Sequence, residues 1–167
     1  MRSDRLFPTI TASPAVPGAV SGQEHELGPM PEWNLADLYA SMDAPTITAD
    51  LDRAAADAVR TKSDYQGRLS GLATNGAALA AAVKAYEALS DLIGKLGSYA
   101  GLLYAANTAD PARAKFYGDI QEKITAITTD LIFFELELNQ IDDATLAAAV
   151  KDPGLARYKP WLDDLRK

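Results

Sequence analysis

The sequence contains no cysteine, which removes disulfides, thiolate metal sites and cysteine nucleophiles together and fits a reducing compartment. The cytoplasm is the expected location. A single histidine, His25, is present, so no pair of imidazoles can share a metal ion, and a nucleophile triad has only that one candidate base. Excess positive charge is also missing. The 16 Lys and Arg stand against 23 Asp and Glu, giving a net charge of -7, which repels phosphate backbones unless a basic cluster overrides it. No such cluster exists, so nucleic acid is not an expected partner. Long apolar runs are absent as well: the longest run of large apolar residues is Leu131 to Phe134, far short of the roughly 20 residues a membrane span needs. Near the start, Arg2 and Arg5 are followed by Pro8, Pro14 and Pro17 rather than by the apolar core of a signal peptide. A soluble protein without a membrane partner is expected.

What is present falls into two parts. Residues 1–31 are rich in Pro, Gly, Ser and Thr without periodic apolar positions and cannot bury enough surface to offset the entropy of ordering them, so they read as a flexible, disordered tail. Residues 32–167 carry helical periodicity and read as one helical domain, opened by a compact apolar cluster of Trp33, Leu35, Leu38 and Tyr39 in a short helix or turn.

The first long helix is signalled by Asp43 as cap and Pro45 in the first turn, and runs to about Asp64. Asp50, Arg53, Asp57, Arg60 and Asp64 form a solvated charge ladder on one side, with Ile47, Leu51, Ala55 and Ala58 on the other. Gly67, Gly71 and Gly76 punctuate an ordered connection anchored by Leu69 and Leu72. A long helix follows through Leu79, Val83, Tyr86, Ile93, Leu96, Ala100 and Leu103, in which Gly94, Gly97 and Gly101 make a flat stripe suited to close approach of another helix backbone. Asn107-Thr-Ala-Asp110-Pro111 predicts a tight helical hairpin. Its second arm runs over about six turns through Phe116, Ile120, Ile124, Ile127, Leu131, Phe134 and Leu138. Asp142 and Asp143 cap a shorter helix containing Leu146 and Val150; Asp152-Pro153-Gly154 breaks it, and Leu155, Tyr158, Trp161, Leu162 and Leu165 mark a last helical segment. The predicted class is all-α: an antiparallel helical bundle with a long helical hairpin and a disordered N-terminal tail.

Catalytic chemistry is hard to find. His25-Glu26-Leu27-Gly28-Pro29 opens like a His-Glu-x-x-His zinc motif, but Pro29 stands where the second imidazole belongs. Asp142 with Asp143 reads as a cap, and Glu135 with Glu137 cannot share a helix face because positions two apart point in different directions. No Glu-x-x-His pair supports a di-iron bundle, and no Gly-x-x-x-x-Gly-Lys loop cradles a phosphate. No catalytic residue and no metal ligand is assigned, and no cofactor is expected in this chain. One apolar segment stands out: Leu131 to Phe134 with Leu136 and Leu138 occupies almost every direction around a helix. Either the bundle's own helices cover it, or a partner packs against Phe133 and its neighbours.

Trp33-Asn34-Leu35-Ala36-Asp37-Leu38-Tyr39 is similar to the opening of the oligoendopeptidase F group, which commonly reads Trp-Asp-Leu-x-Asp-Leu-Tyr. Leu96-Gly97-Ser98-Tyr99-Ala100, Leu103 to Thr108 and Asp110-Pro111 resemble that family's N-terminal hairpin. Phe133-Phe134-Glu135-Leu136-Glu137-Leu138 and Leu155-Ala156-Arg157-Tyr158-Lys159-Pro160-Trp161-Leu162 match the same group in the same order. The resemblance implies the N-terminal, channel-wall domain of a thimet-like zinc metalloendopeptidase that hydrolyses oligopeptides. Its zinc, bound in the full-length enzyme, and its His-Glu-x-x-His helix have no matching positions here. The expectation is a truncated product or partial reading frame, inactive alone, whose partners are a missing catalytic domain and, in the full-length enzyme, an oligopeptide substrate. By analogy, Tyr99, Tyr104 and Asn107 are candidates for a channel-facing surface, and Phe133 for an interdomain one. The same tyrosines also read as packing between helices, and Asn107 as a helix stop. The alternative function is a free-standing helical module that self-associates or binds a partner through the Phe133 region.

Overall fold

The computed structural model describes residues 33–167; the expected tail and His25 lie outside the described residues. Every regular element among the described residues is helical: α1 (Pro45–Tyr65), α2 (Leu69–Leu72), α3 (Gly76–Ala106), α4 (Pro111–Thr129), α5 (Ile132–Gln140), α6 (Asp143–Ala149), α7 (Pro153–Ala156) and α8 (Lys159–Leu165). The predicted all-α bundle is what forms, and none of these helices is long and apolar enough to cross a membrane.

The spine is α3. Asn75 starts it by accepting hydrogen bonds from the amides of Ala77 and Ala78 at 3.1 and 3.3 Å, the capping role that suits a short polar side chain. Its 31 residues extend about 46 Å at 1.5 Å per residue, long enough to serve two cores in succession. The N-terminal half of α3 packs with α2 and α5–α8 through Leu79, Val83, Phe134, Leu138, Leu155 and Leu162. The C-terminal half packs with α1, α4 and Tyr39 through Leu92, Leu96, Tyr99, Leu51 and Ile120. Tyr86 touches both cores.

The hairpin between α3 and α4 follows its local chemistry. Asn107 ends α3, Asp110 accepts from the Ala112 amide at 2.8 Å, and Pro111 takes a first-turn position where a missing N–H costs nothing. Its second arm departs from expectation. Rather than one six-turn helix, α4 stops at Thr129 and α5 restarts at Ile132. Thr125, Thr128 and Thr129 each turn a hydroxyl back onto the carbonyl four residues earlier, at 2.8, 2.9 and 2.8 Å. Such back-bonding competes with the backbone ladder and bends helices. The break at Asp130 and Leu131 lets Phe134 and Leu138 turn into the α2–α8 core while Ile120 and Ile127 stay in the other.

The helix starts and packing faces differ from expectation at several other positions. The N-cap of α1 is Ala44, not Asp43, and no side chain caps it; Pro45, with its preset backbone angle, starts the helix in place of the expected aspartate cap. The buried stripe of α1 is Ile47, Leu51, Ala54, Ala58 and Thr61, spaced four and three as a 3.6-residue period demands, so Ala54 and not Ala55 faces inward. Trp33 is 72 % exposed and lies outside the apolar cluster, in which Tyr39 is the buried member. The glycine stripe admits side chains and not a helix backbone: a Cβ at Gly97 would meet Ile124 Cδ1 at 3.4 Å, one at Gly101 would meet Tyr117 Cε2 at 3.8 Å, and one at Gly94 would meet nothing within 4 Å.

Candidate functional site

Of the four candidate residues, Tyr99 and Phe133 pack with the two cores, while Tyr104 and Asn107 lie one turn apart at the end of α3. Tyr99 is 3 % exposed, with its ring edge-on to Tyr39 and Phe116 at centroid distances of 5.2 and 6.0 Å. Burial pushes its phenol above the ordinary range, and it offers no surface to a peptide. Tyr104 stacks on Tyr117 at 5.2 Å across the hairpin, and Asn107 accepts from the Ala109 amide at 3.2 Å while closing α3. Phe133 belongs to the other core, half-buried and edge-on to Phe134 at 5.9 Å. The exposed apolar side chains of α5 are instead Ile132 and Leu136, at 60 % and 56 %.

The two glutamates of α5 diverge as their spacing requires. Glu135 accepts from the Tyr86 hydroxyl at 3.0 Å, whereas Glu137 accepts from the amides of Gly67 and Leu69 at 2.6 and 3.4 Å.

One concavity among the described residues is not announced by the sequence. A hollow of about 370 Å³ lies between α3, α5 and α8, bordered by the aromatic residues Tyr86, Tyr158 and Trp161 and by Glu87, Asp91 and Glu135. Stacking orders its floor: Tyr86 lies parallel on Phe134 at 4.3 Å and faces Trp161 at 6.2 Å. Burial, with the neighbouring Glu135 carboxylate, pushes the Tyr86 phenol up to about 12, so it stays a neutral donor. On the opposite wall Tyr158 donates to Glu87 at 2.7 Å, and Arg157 pairs with the same carboxylate. Those hydrogen bonds, the Tyr158 one foremost, hold Glu87 below the ordinary carboxylate range. A second hollow of about 360 Å³, sharing Tyr86, Ser90 and Glu135, continues between Ile93, Gly94, Leu131 and Ile132. Sequence periodicity marks Tyr86, Tyr158 and Trp161 as core residues; the one signal beyond that is the acid beside Tyr86 in the chain, Glu87.

Zinc does not fit the described residues. No three His, Cys, Asp or Glu side chains among them converge on one point, and no buried side-chain nitrogen or oxygen among them lacks a hydrogen-bond partner.

Residues 137–167 match the family described as Oligopeptidase F, in its peptidase M3 N-terminal part. This end of the chain is similar to the N-terminal part of that family. The match takes in Glu137 at the α5–α2 junction, all of α6 and α7, and the α8 segment with Tyr158 and Trp161. The Trp33–Tyr39 and hairpin motifs lie outside it. No curated protein and no solved structure matched the chain.

Proposed function

We propose that the chain is the channel-wall domain of a zinc endopeptidase that hydrolyses oligopeptides, inactive by itself and completed by a separate catalytic domain. The observation that carries this reading is the match of residues 137–167 to the oligopeptidase F family. The ordered resemblances upstream, and a donor set among the described residues that cannot hold zinc, are consistent with it. On this reading zinc belongs to the catalytic domain, the work is done in the cytoplasm, and the helical bundle excludes folded proteins while extended peptides reach the active site.

The test is to mix the purified chain with a separately expressed oligoendopeptidase F catalytic domain and follow cleavage of a quenched fluorescent oligopeptide. Hydrolysis that appears only on mixing supports the proposal. Absence of any gain on mixing, or peptide turnover with bound zinc by the chain alone, overturns it.

A second reading, a helical module that binds itself or a partner, is favoured by one observation: Ile132 and Leu136 are adjacent along α5 and both open to solvent. Large apolar side chains grouped in this way mark interaction surfaces more often than isolated ones. Light scattering decides it. A dimer that dissociates on Leu136→Asp supports the module, and a monomer indifferent to that change counts against it.

A further inference from the structure

We propose that the hollow between α3, α5 and α8 binds the cationic side chain of a peptide, arginine or lysine, and that the adjoining hollow over Gly94 seats an apolar side chain two residues away. This binding goes beyond the peptidase reading and does not depend on it.

Charge comes first. Glu87, Asp91 and Glu135 border the first hollow, and no Lys, Arg or His among the described residues lines it. Glu87 is already engaged by Arg157 and Tyr158 and lies near Lys84. Asp91 and Glu135 make no ion pair among the described residues, which leaves them to attract a positive group from outside. Tyr86 is covered by Phe134 and Trp161, and Tyr158 by Arg157, so the half-exposed Trp161 is the ring left to sharpen the selection, its quadrupole attracting a guanidinium or ammonium where a bare acidic patch would accept any cation. The molecule displays this recognition at the rim: the Arg157 guanidinium sits 4.5 Å from the Tyr158 ring centroid and pairs with Glu87.

The second hollow indicates that the cation is part of a chain. Ile93, Leu131 and the exposed Ile132 wall it. Gly94 forms its floor, where a Cβ would touch nothing within 4 Å, so no internal contact accounts for a glycine in a helix interior. The hollows share Tyr86, Ser90 and Glu135, which makes them neighbours. In an extended peptide, residues two apart face the same side about 7 Å from one another. An Arg-x-Leu sequence is the shortest peptide that sets one cationic and one apolar side chain on the same side, as two adjoining hollows of these characters require.

The experiment is an NMR titration of the full chain with acetyl-Arg-Gly-Leu-amide, read at the Trp161 indole N–H, with Trp33, which lines neither hollow, as internal control. Saturable movement of Trp161 and not of Trp33 is expected. Acetyl-Gln-Gly-Leu-amide should bind about fivefold or more weakly, the scale of a lost cation–π contact with its carboxylates. Asp91→Asn with Glu135→Gln should weaken the arginine peptide by a similar factor and leave the glutamine peptide unchanged; the amide oxygen introduced by Glu135→Gln still accepts from Tyr86, so the fold is retained. Acetyl-Arg-Gly-Gly-amide should bind more weakly than the leucine peptide. Equal binding of the arginine and glutamine peptides, or no movement at Trp161 up to about 20 mM peptide, at the weak limit of useful affinity, overturns the proposal.

Discussion

The Tyr39 hydroxyl donates a 2.8 Å hydrogen bond to Asp50 Oδ2 and thereby ties the segment before α1 to α1 itself. Lys95 of α3 completes the junction, 3.5 Å from the same oxygen and 4.1 Å from the Tyr39 ring centroid. Helical spacing alone makes Asp50 a rung of a solvated ladder, yet its side chain is only 16 % exposed. The Tyr39 bond, with Arg53 and Lys95 beside it, holds its carboxyl below the ordinary range despite partial burial.

Asp50→Asn should therefore lower unfolding stability at neutral pH by about 1.5 kcal/mol, the low end for a hydrogen bond to a charged group. The sign of the pH dependence follows from the depressed carboxyl. Its contribution is fully present above the unfolded carboxylate pKa and is lost as pH falls through the lower folded value. Urea unfolding at about pH 7, 5 and 3 should show a steady gap between wild type and variant at the first two and a smaller gap at the third, since an unfolded aspartate titrates near 3.9. A gap that grows on acidification would contradict the assignment.

Glu137 secures a second junction. Its carboxylate meets the amide of Gly67, whose φ of 75° a β-carbon would disfavour, and the amide of Leu69 at the start of α2. Glu137→Ala should cost about 1–3 kcal/mol by leaving those donors to compete for water, and Glu137→Gln about half of that. Hydrogen exchange localises the effect: the Gly67 and Leu69 amides should lose protection first, while those of α4 keep theirs.

The glycines of α3 separate into opposite predictions. At Gly76 a Cβ would lie 2.6 Å from the Ala149 carbonyl oxygen and 2.7 Å from Asp152 Cβ, so Gly76→Ala must push α6 and its following turn off the helix start, at about 1–3 kcal/mol. At Gly94 the added methyl meets open space, and Gly94→Ala should stabilise by up to about 1 kcal/mol through helix propensity. Thermal melts check both. Destabilisation by Gly94→Ala would mean that its surroundings are closed in solution.

Which parts of this architecture could be read beforehand follows from the range of the forces involved. The Asn107–Pro111 hairpin and the caps at Asp142 and Asp152 depend on groups within a few residues of one another, so their chemistry is visible in sequence. The α4–α5 break is not of this kind. Apolar spacing continues through Ile127, Leu131, Phe134 and Leu138, and only the existence of two cores along α3 makes a bend at Asp130 favourable. The hollow is hidden for a similar reason: Glu135 reaches Tyr86 from 49 residues away, and a periodic stripe does not say which of its members border open space. Tyr99 and Phe133 illustrate the converse, since residues that stand out in a motif turn out to be packed inside the bundle.

Phe134 and Leu136, two residues apart on α5, should respond very unequally. Phe134 is fully buried, stacked on Tyr86 and edge-on to Tyr65, so Phe134→Ala removes a large transfer term and leaves a void that α2 and α3 cannot close, at about 3–5 kcal/mol. Leu136→Asp sits on the open side, where substitutions away from special contacts usually stay within about 0.5 kcal/mol. Phe133→Asp is a poor probe of any interface, because its ring packs on the core and a charge there would unsettle the fold before testing association. Denaturant unfolding of Phe134→Ala and Leu136→Asp side by side checks the orientation of α5. Equal losses would mean that α5 is rotated from the orientation described, and that the break at Asp130 does not turn Phe134 inward.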